Sequence, residues 1–205
     1  MKNGLHIDGL GTKEWYLNDE LHREDGPAVE RADGGNAWYI NGKPHREDGP
    51  AIEGANGYKA WYQKGLLHRE DGPAIEKASG SKEWYINNKK HREDGPAVEW
   101  ASGGKEWYIN NKLHREDGPA LEWSNGTKKW YQNGKLHRED GPAIEDADGT
   151  EVWYLNDIKV SKREIERLKL RNSGTDDLDI DILDDLGLLE GRILDYKSFK
   201  NVNRL

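Results

Sequence analysis

The sequence predicts a mainly β fold: an elongated, single-layer antiparallel array of β-hairpin repeats with a short α-helical C-terminal tail. A Trp-Tyr pair recurs every 23 residues, seven times between Trp15 and Tyr154. The hexapeptide His-Arg-Glu-Asp-Gly-Pro recurs six times at the same period, from His22 to His137. Turn-forming dipeptides punctuate every period at two constant places. A fixed period of this length is typical of solenoids and arrays, whose units bury apolar surface against their neighbours.

Six full units of 23 residues run from residue 15 to residue 152, each beginning at its Trp. A degenerate half-unit precedes them, and a final Trp-Tyr strand ends near Asp157. We therefore predict two domains, a repeat array over residues 1–157 and a helical tail over residues 158–205. The residues that form the structural ladder of the repeat are Trp15, Trp38, Trp61, Trp84, Trp107, Trp130 and Trp153, with His22, His45, His68, His91, His114 and His137.

Both turns of the unit are predicted to be two-residue hairpin loops with positive φ at both residues, as at Asn110-Asn111 and at Ser102-Gly103. The second loop would place Val98 opposite Trp107 and Glu99 opposite Glu106.

Through the first loop, His114 would lie beside Trp107 and Arg115 beside Glu106. One face of the sheet would then carry Trp with Val, Ile and Leu. The other would carry Tyr, Ala and a charge ladder, in which each loop Arg can reach the Glu seven residues later, such as Arg92 and Glu99.

Composition narrows the class of protein. Hydrophobic residues make up 34% of the chain and charged residues another 34%, but nine Trp and nine Tyr supply apolar area that disordered chains lack. A net charge of −8 argues against a nucleic-acid partner and makes membrane association doubtful. The absence of Cys excludes disulfides and thiolate zinc sites. With no apolar leader or span in the sequence, we expect a cytoplasmic protein.

The His-Arg-Glu-Asp cluster is the strongest candidate for a metal or catalytic site, since His, Glu and Asp together can bind metal or transfer protons. Its sixfold repetition favours a structural role in turns and between units, because an active site needs one asymmetric constellation in a pocket. We predict a non-enzymatic protein with no catalytic residue, no metal and no cofactor. Metal binding and catalysis are the alternatives.

The pattern Trp-Tyr-x-Asn-Gly-Lys-x-His, complete at residues 130–137, with a following Gly and a closing Asp-Gly at period 23, resembles MORN repeats over about residues 15–157. The resemblance is closest to a bacterial and viral variant, some members of which are described as antitoxin-like components. Two features depart from it: His-Arg-Glu-Asp-Gly replaces His-Gly, and the Tyr-x-Gly opening is missing. The resemblance implies an elongated hairpin sheet that mediates protein association, with lipid binding in some relatives.

Positions that vary between units carry the most information about function, because the repeat does not dictate them. The residue that follows the Pro-Ala-apolar-Glu segment is a different type in most units, and it is Trp at Trp100 and Trp123 in two adjacent units. We expect both on the face of the Trp ladder. Extra packing on a curved face is one interpretation, and an exposed aromatic hot spot for a partner is the other.

The tail begins with a capping box, Ser161 with Glu164, which predicts a helix over residues 162–172. Beyond it, apolar residues recur at helical spacing. The tail is interpreted either as a cap on the last unit or as a dimerisation or partner-binding element. The residues of this stripe are Leu178, Ile182, Leu186, Leu189 and Ile193.

We therefore predict a repeat scaffold that acts through protein–protein binding, as an inhibitor or antitoxin-like protein of bacterial or phage origin. Its partner would be another protein, or a second copy joined through the tail or the Trp face. The alternative is a module that sequesters small cationic or sugar ligands in aromatic niches between units, as choline-binding repeats do. The predicted contact residues are Trp100, Trp123, Leu178, Ile182, Leu186 and Leu189.

Overall fold

The computed structural model describes residues 1–172 and confirms the mainly β prediction. One antiparallel sheet of 16 strands runs through the array, accompanied by five two-stranded hairpins. The chain divides into two compact units between Val160 and Ser161. The domain boundary expected after Asp157 falls earlier than this, because the hairpin of the last Trp-Tyr strand continues through Val160. Within residues 1–172, no helix has the length and apolar character needed to span a bilayer.

The 16-stranded sheet is built from β1 (Gly4–Ile7), β2 (Lys13–Leu17), β3 (Glu20–Leu21), β4 (Val29–Glu30), β5 (Asn36–Ala37), β8 (Ile52–Glu53), β9 (Lys59–Ala60), β12 (Ile75–Glu76), β13 (Lys82–Glu83), β16 (Val98–Glu99), β17 (Lys105–Glu106), β20 (Leu121–Glu122), β21 (Lys128–Lys129), β24 (Ile144–Glu145), β25 (Glu151–Leu155) and β26 (Ile158–Val160). The five hairpins pair β6 (Tyr39–Ile40) with β7 (Lys43–Pro44), β10 (Tyr62–Gln63) with β11 (Leu66–Leu67), β14 (Tyr85–Ile86) with β15 (Lys89–Lys90), β18 (Tyr108–Ile109) with β19 (Lys112–Leu113), and β22 (Tyr131–Gln132) with β23 (Lys135–Leu136).

The first turn of each unit is the predicted two-residue loop. In unit four, Asn87 and Asn88 have φ of 51° and 63°, and the loop pairs Ile86 with Lys89. Positive φ at both positions is found at all seven such turns. The expected neighbourhood of His114 and Trp107 is also confirmed, because the His114 N–H donates to the Trp107 carbonyl at 3.0 Å.

The second turn differs from the prediction. Trp100 donates its N–H to the carbonyl of Gly104 at 2.9 Å, and the loop between them has three residues with Gly103 in the left-handed region at φ 93°. This is the three-residue hairpin geometry, in which a left-handed Gly closes a tight turn. Val98 consequently faces Glu106, and Glu99 faces Lys105. The predicted pairings of Val98 with Trp107 and of Glu99 with Glu106 are therefore wrong.

This shift of one residue moves the strand after Pro-Ala to the opposite faces from those predicted, because successive strand residues point to opposite sides of the sheet. The Trp face carries the Trp of each unit with the loop Arg and the Glu that Arg binds, as in the contacts of Arg92 with Trp84 and Glu99. The Tyr face carries the Tyr, the apolar residue after Pro-Ala, and the residue before each Trp, as in the bond from the Tyr85 hydroxyl to Glu83. The prediction that Trp shares a face with the Val, Ile or Leu that follows Pro-Ala is wrong.

Opposite charges alternate across the Trp face from Glu53 to Glu145. Each Lys of this row lies between two Glu residues of the neighbouring strands, in the order Lys82, Glu99, Lys105, Glu122, Lys128 and Glu145. Cross-strand pairs of opposite charge contribute roughly 0.2–1 kcal/mol each. The row therefore favours this register over a slipped one, in which like charges would meet.

The core is thin and made of small side chains. The Ala of every Pro-Ala step is fully buried, from Ala28 to Ala143, and Val98 is buried with it. The Trp rings of the ladder are half-buried. The main chain of each unit closes over this Ala, as where the Trp84 N–H donates to the Ala97 carbonyl at 2.8 Å. Stability must therefore come mostly from hydrogen bonds and ring contacts between neighbouring strands.

The predicted helix is confirmed as α1 (Lys162–Asn172). Its capping box forms as expected, because the Ser161 N–H donates to Glu164 Oε2 at 2.6 Å and the Glu164 N–H donates to Ser161 Oγ at 3.2 Å. Ile165 is buried. The predicted apolar stripe with Leu178, Ile182, Leu186, Leu189 and Ile193 lies outside the described residues.

Lys64 occupies a left-handed turn position, φ 52°, where most units have Asn. Left-handed backbone costs most L-residues roughly 1–2 kcal/mol, and Asn tolerates it better. We expect Lys64→Asn to raise the free energy of unfolding by about 1 kcal/mol in urea denaturation. The reverse change at the same turn of unit six, Asn133→Lys, should lower it similarly, and equal stability of both variants would contradict this account.

Candidate functional site

The repeated loop of the unit is organised around its Arg. In unit four the Arg92 guanidinium lies over the Trp84 ring with 4.0 Å between its carbon and the ring centroid. Its Nε–H donates to Asp94 at 2.8 Å, and its Nη1 donates to the Pro96 carbonyl at 3.2 Å and to Glu99 at 3.1 Å. One side chain thus connects the first residue of the unit, the loop and the strand that follows the loop.

The same arrangement recurs in all six units. The Arg–Trp distances are 3.9–4.1 Å, and the predicted Arg–Glu pairs are confirmed at 2.7–3.5 Å. A side chain in place of the loop Gly would crowd this contact, since a Cβ at Gly95 would lie 3.0 Å from the Arg92 guanidinium carbon. The guanidinium is therefore held between an aromatic ring and a glycine. Arg115, which was predicted beside Glu106, instead pairs with Asp117 and Glu122.

The loop His links each unit to the next. The Nδ1 atom of His91 accepts the backbone N–H of Asn110, which lies in the next unit, at 3.3 Å. Beside it, the Arg92 N–H donates to the Tyr108 carbonyl at 3.1 Å, and the Asn111 N–H donates to the Lys90 carbonyl at 2.9 Å. These bonds join the hairpin of unit four to the hairpin of unit five. They occupy His91 Nδ1, and the other ring nitrogen, Nε2, lies 3.7 Å from Glu93 Oε1.

The Asp carboxylates of the first five loops are held in their ionised form. The Arg side-chain hydrogen bond lowers the pKa of the Asp two residues further on, as with Arg92 and Asp94, and the effect is the same at Asp25, Asp48, Asp71 and Asp117. Within residues 1–172, no group of three or more His, Asp or Glu side chains is arranged to hold a metal ion. Successive loops border a groove lined by Trp61, Arg69 and Asp71 among others. Because the Arg69 guanidinium covers one face of the Trp61 ring, that face is not available to a cationic ligand.

The units differ from one another on the Tyr face, at positions 17 and 23 of the repeat when the Trp that begins each unit is counted as position 1. These two positions lie close together across the second turn of the unit. In unit three they are Lys77 and Glu83, which form an ion pair of 2.6 Å. In unit four they are Trp100 and Glu106, and the Trp100 indole N–H donates to Glu106 Oε1 at 2.9 Å.

In unit five the same two positions are Trp123 and Lys129, with the Lys129 Nζ 4.8 Å from the Trp123 ring centroid. Trp100 is 36% exposed and Trp123 is 44% exposed, whereas the Trp residues of the ladder are half-buried. The structure thus places both rings next to residues of the Tyr face. The prediction that they share the face of the Trp ladder is wrong, because the three-residue loop moved the whole strand by one residue.

Trp100 is held from several sides. Its ring lies against Gly104, where an added Cβ would be 3.2 Å from Trp100 Cδ1. The Lys77 Nζ lies 5.1 Å from the ring centroid on the side of unit three. Together with the bond to Glu106, these contacts fix the ring while leaving part of it in solvent.

Lys77, which lies beside Trp100, pairs with Glu83, whose side chain is almost fully buried. Burial raises the pKa of Glu83, but hydrogen bonds from Lys77 and Tyr85 and the charge of Lys90 outweigh burial and hold the pKa below its ordinary value. Burial, followed by the bond to Glu83, raises the pKa of Tyr85. The buried charge is therefore compensated, and it keeps Lys77 in place beside Trp100.

Sequence reasoning identified Trp100 and Trp123 but missed Glu106 and Lys129 as their partners. The signal was available, because the residue six positions after each variable site is also variable, as Glu83, Glu106 and Lys129 show. Only the three-residue loop brings these two variable positions together, so the pairing could not be predicted with a two-residue loop.

No protein-family model matches the chain, and no curated protein matches it significantly. The resemblance to MORN repeats stays a prediction.

Acid should destabilise the array. The lowered pKa values of the loop Asp residues mean that their contribution is complete above the unfolded pKa of about 4 and is lost as pH falls through the lower folded pKa. We expect a constant melting temperature above pH about 5 and a progressive decrease below pH about 4, measured by circular dichroism. Asp94→Asn should reduce the pH dependence, and an unchanged melting temperature at pH about 2 would contradict the assignment.

The His bonds between units predict that His45→Ala and His91→Ala have equal effects. Each removes the acceptor of one backbone N–H, that of Lys64 or Asn110. We expect each variant to lose about 1 kcal/mol of unfolding free energy. A matched pair of urea titrations measures this, and a loss confined to one variant would argue that one His has a special role.

Proposed function

We propose that this protein is a non-enzymatic repeat scaffold that binds another protein through the Tyr face of units four and five. The observation that carries the proposal is the pair Trp100 and Trp123, two partly exposed indoles at the same position of adjacent units. The repeat does not require Trp at this position, since other units have Gly54 or Asp146 there.

The two rings have the properties of binding hot spots. Their positions are separated by two strands of the sheet, which corresponds to about 10 Å. Trp is enriched among residues that dominate protein–protein affinity. Trp100 is already fixed by Gly104 and Glu106, so that its ordering is largely complete before a partner arrives. A rigid aromatic anchor of this kind favours binding to a macromolecular surface.

The repeated loops support the non-enzymatic part of the proposal. Their Arg groups are bound to Asp, Glu and Trp within the unit, and their His groups accept bonds from the next unit. An inhibitory or antitoxin-like role is the form of scaffold that the resemblance to MORN repeats suggests. A cytoplasmic location belongs to the same proposal and is supported by the absence of Cys.

The double variant Trp100→Ala, Trp123→Ala should lose the partner without losing the fold. Each ring is expected to contribute at least about 2 kcal/mol, a factor of about 30 in affinity. The measurement is capture from the native source with the tagged full chain, followed by quantitative mass spectrometry and by titration with the identified partner.

Asp146→Ala, at the same position of unit six, is the matched control and should keep the partner. Circular dichroism of the double variant should match that of the unmodified chain. Retention of the partner at full affinity would refute the proposal, and unfolding would show that the two rings belong to the core.

A further inference from the structure

Positions 17 and 23 of the repeat form a donor and an acceptor in two successive units and two donors in the third. Lys77 donates to Glu83, and Trp100 donates to Glu106. At the next step the Lys129 ammonium group lies 4.8 Å from the centroid of the Trp123 ring, at the position where unit four has a carboxylate. The sequence of unit five thus keeps the aromatic donor of unit four and replaces its acceptor with a cation.

The donors of unit five are left without an acceptor in the part of the chain that the structure describes. There, Lys129 stacks on Trp123 and makes no ion pair, and the Trp123 indole N–H makes no hydrogen bond. The neighbouring strand positions of Lys129 are Leu121 and Ile144, which are apolar. Asp146, at position 17 of unit six, lies within 3.4 Å of the Thr127 hydroxyl, which donates to it.

We propose that Trp123 and Lys129 bind an Asp or Glu side chain of the partner protein. The carboxylate accepts from the Trp123 Nε1–H and from the Lys129 ammonium group, and apolar residues beside it pack on the exposed part of Trp100. This inference rests on the proposed function, and it names the chemistry that the same surface recognises.

The internal contact of unit four shows that such a bond is geometrically reasonable. Glu106 is a carboxylate bound to the indole N–H at position 17, at 2.9 Å. In unit five a carboxylate from the partner takes the place of Glu106, with the added attraction of Lys129. Hydrogen bonds between charged groups are shorter and stronger than neutral ones. Because the chain as a whole has a net charge of −8, this local cation favours docking of an acidic segment here over the acidic parts of the surface.

The proposal is tested with random peptides displayed on phage and selected on the immobilised full chain. Selected peptides should carry an Asp or Glu at a constant distance from an apolar residue. The best peptide, made synthetically, should bind Lys129→Glu at least about tenfold more weakly than the unmodified chain. Lys129→Glu supplies an internal acceptor like Glu106 and repels the peptide, whereas Lys129→Arg keeps the charge and should keep most of the affinity.

A double-mutant cycle connects the two sides of the contact. Replacing the acidic residue of the peptide with its amide should weaken binding to the unmodified chain and have little further effect on Lys129→Glu. Lys129→Glu should fold normally, since Glu14, Glu83 and Glu106 occupy this position in other units; circular dichroism checks this. Selected peptides without an acidic residue, or equal affinity for Lys129→Glu, would overturn the carboxylate assignment.

The two proposals fail in different ways. If Trp123→Ala abolishes binding of the native partner and Lys129→Glu does not, the scaffold proposal stands and the carboxylate proposal falls. If the double Trp variant keeps the native partner at full affinity, the Tyr face of units four and five is not the binding surface, and both fall.

Discussion

The stack of the loop Arg on the Trp of its own unit is the interaction on which the rest of the array depends. Arg92 contacts Trp84 with one face of its guanidinium and Gly95 with the other, while its N–H groups bind Asp94, Pro96 and Glu99. A cation–π contact contributes about 0.5–2 kcal/mol, depending on burial. Its larger effect is positional, because it fixes a loop with no regular backbone pairing. Only a fixed loop can hold His91 where its Nδ1 accepts the N–H of the next unit.

This dependence explains how a chain with few aliphatic residues holds a sheet of 16 short strands. Each unit buries one Ala completely and half-buries its Trp, so the unit has little core of its own. Its backbone groups are satisfied partly by the next unit, as in the bonds from Arg92 to Tyr108 and from Asn111 to Lys90. Stability in such an array is a sum of unit and interface terms, and the interfaces carry much of it. A residue repeated in every unit is therefore explained first by these interfaces.

Much of this could be predicted from the sequence, because period, turn residues and charge spacing are local signals. The left-handed Asn87-Asn88 turn, the Arg92–Glu99 pair and the start of α1 at its capping box all follow from residues close in the chain. The register could not be predicted with the same security. Ser102-Gly103 fits the end of a three-residue loop as well as a two-residue loop, since only Gly103 needs positive φ. A difference of one residue then reversed the faces and hid the contact between Trp100 and Glu106.

The same residue type consequently has two roles in this chain, and its environment separates them. Trp84 is required by the repeat: its ring is covered by Arg92, and its backbone N–H closes the strand on Ala97. Trp100 is not required by the repeat, and its ring is held at the surface by a hydrogen bond and a neighbouring Lys. The repeated contacts within and between units already fix the backbone around positions 17 and 23. A substitution at either position therefore changes the surface with little cost to the stability of the fold. These positions can therefore change one unit at a time, as the succession from Lys77 through Trp100 to Trp123 shows.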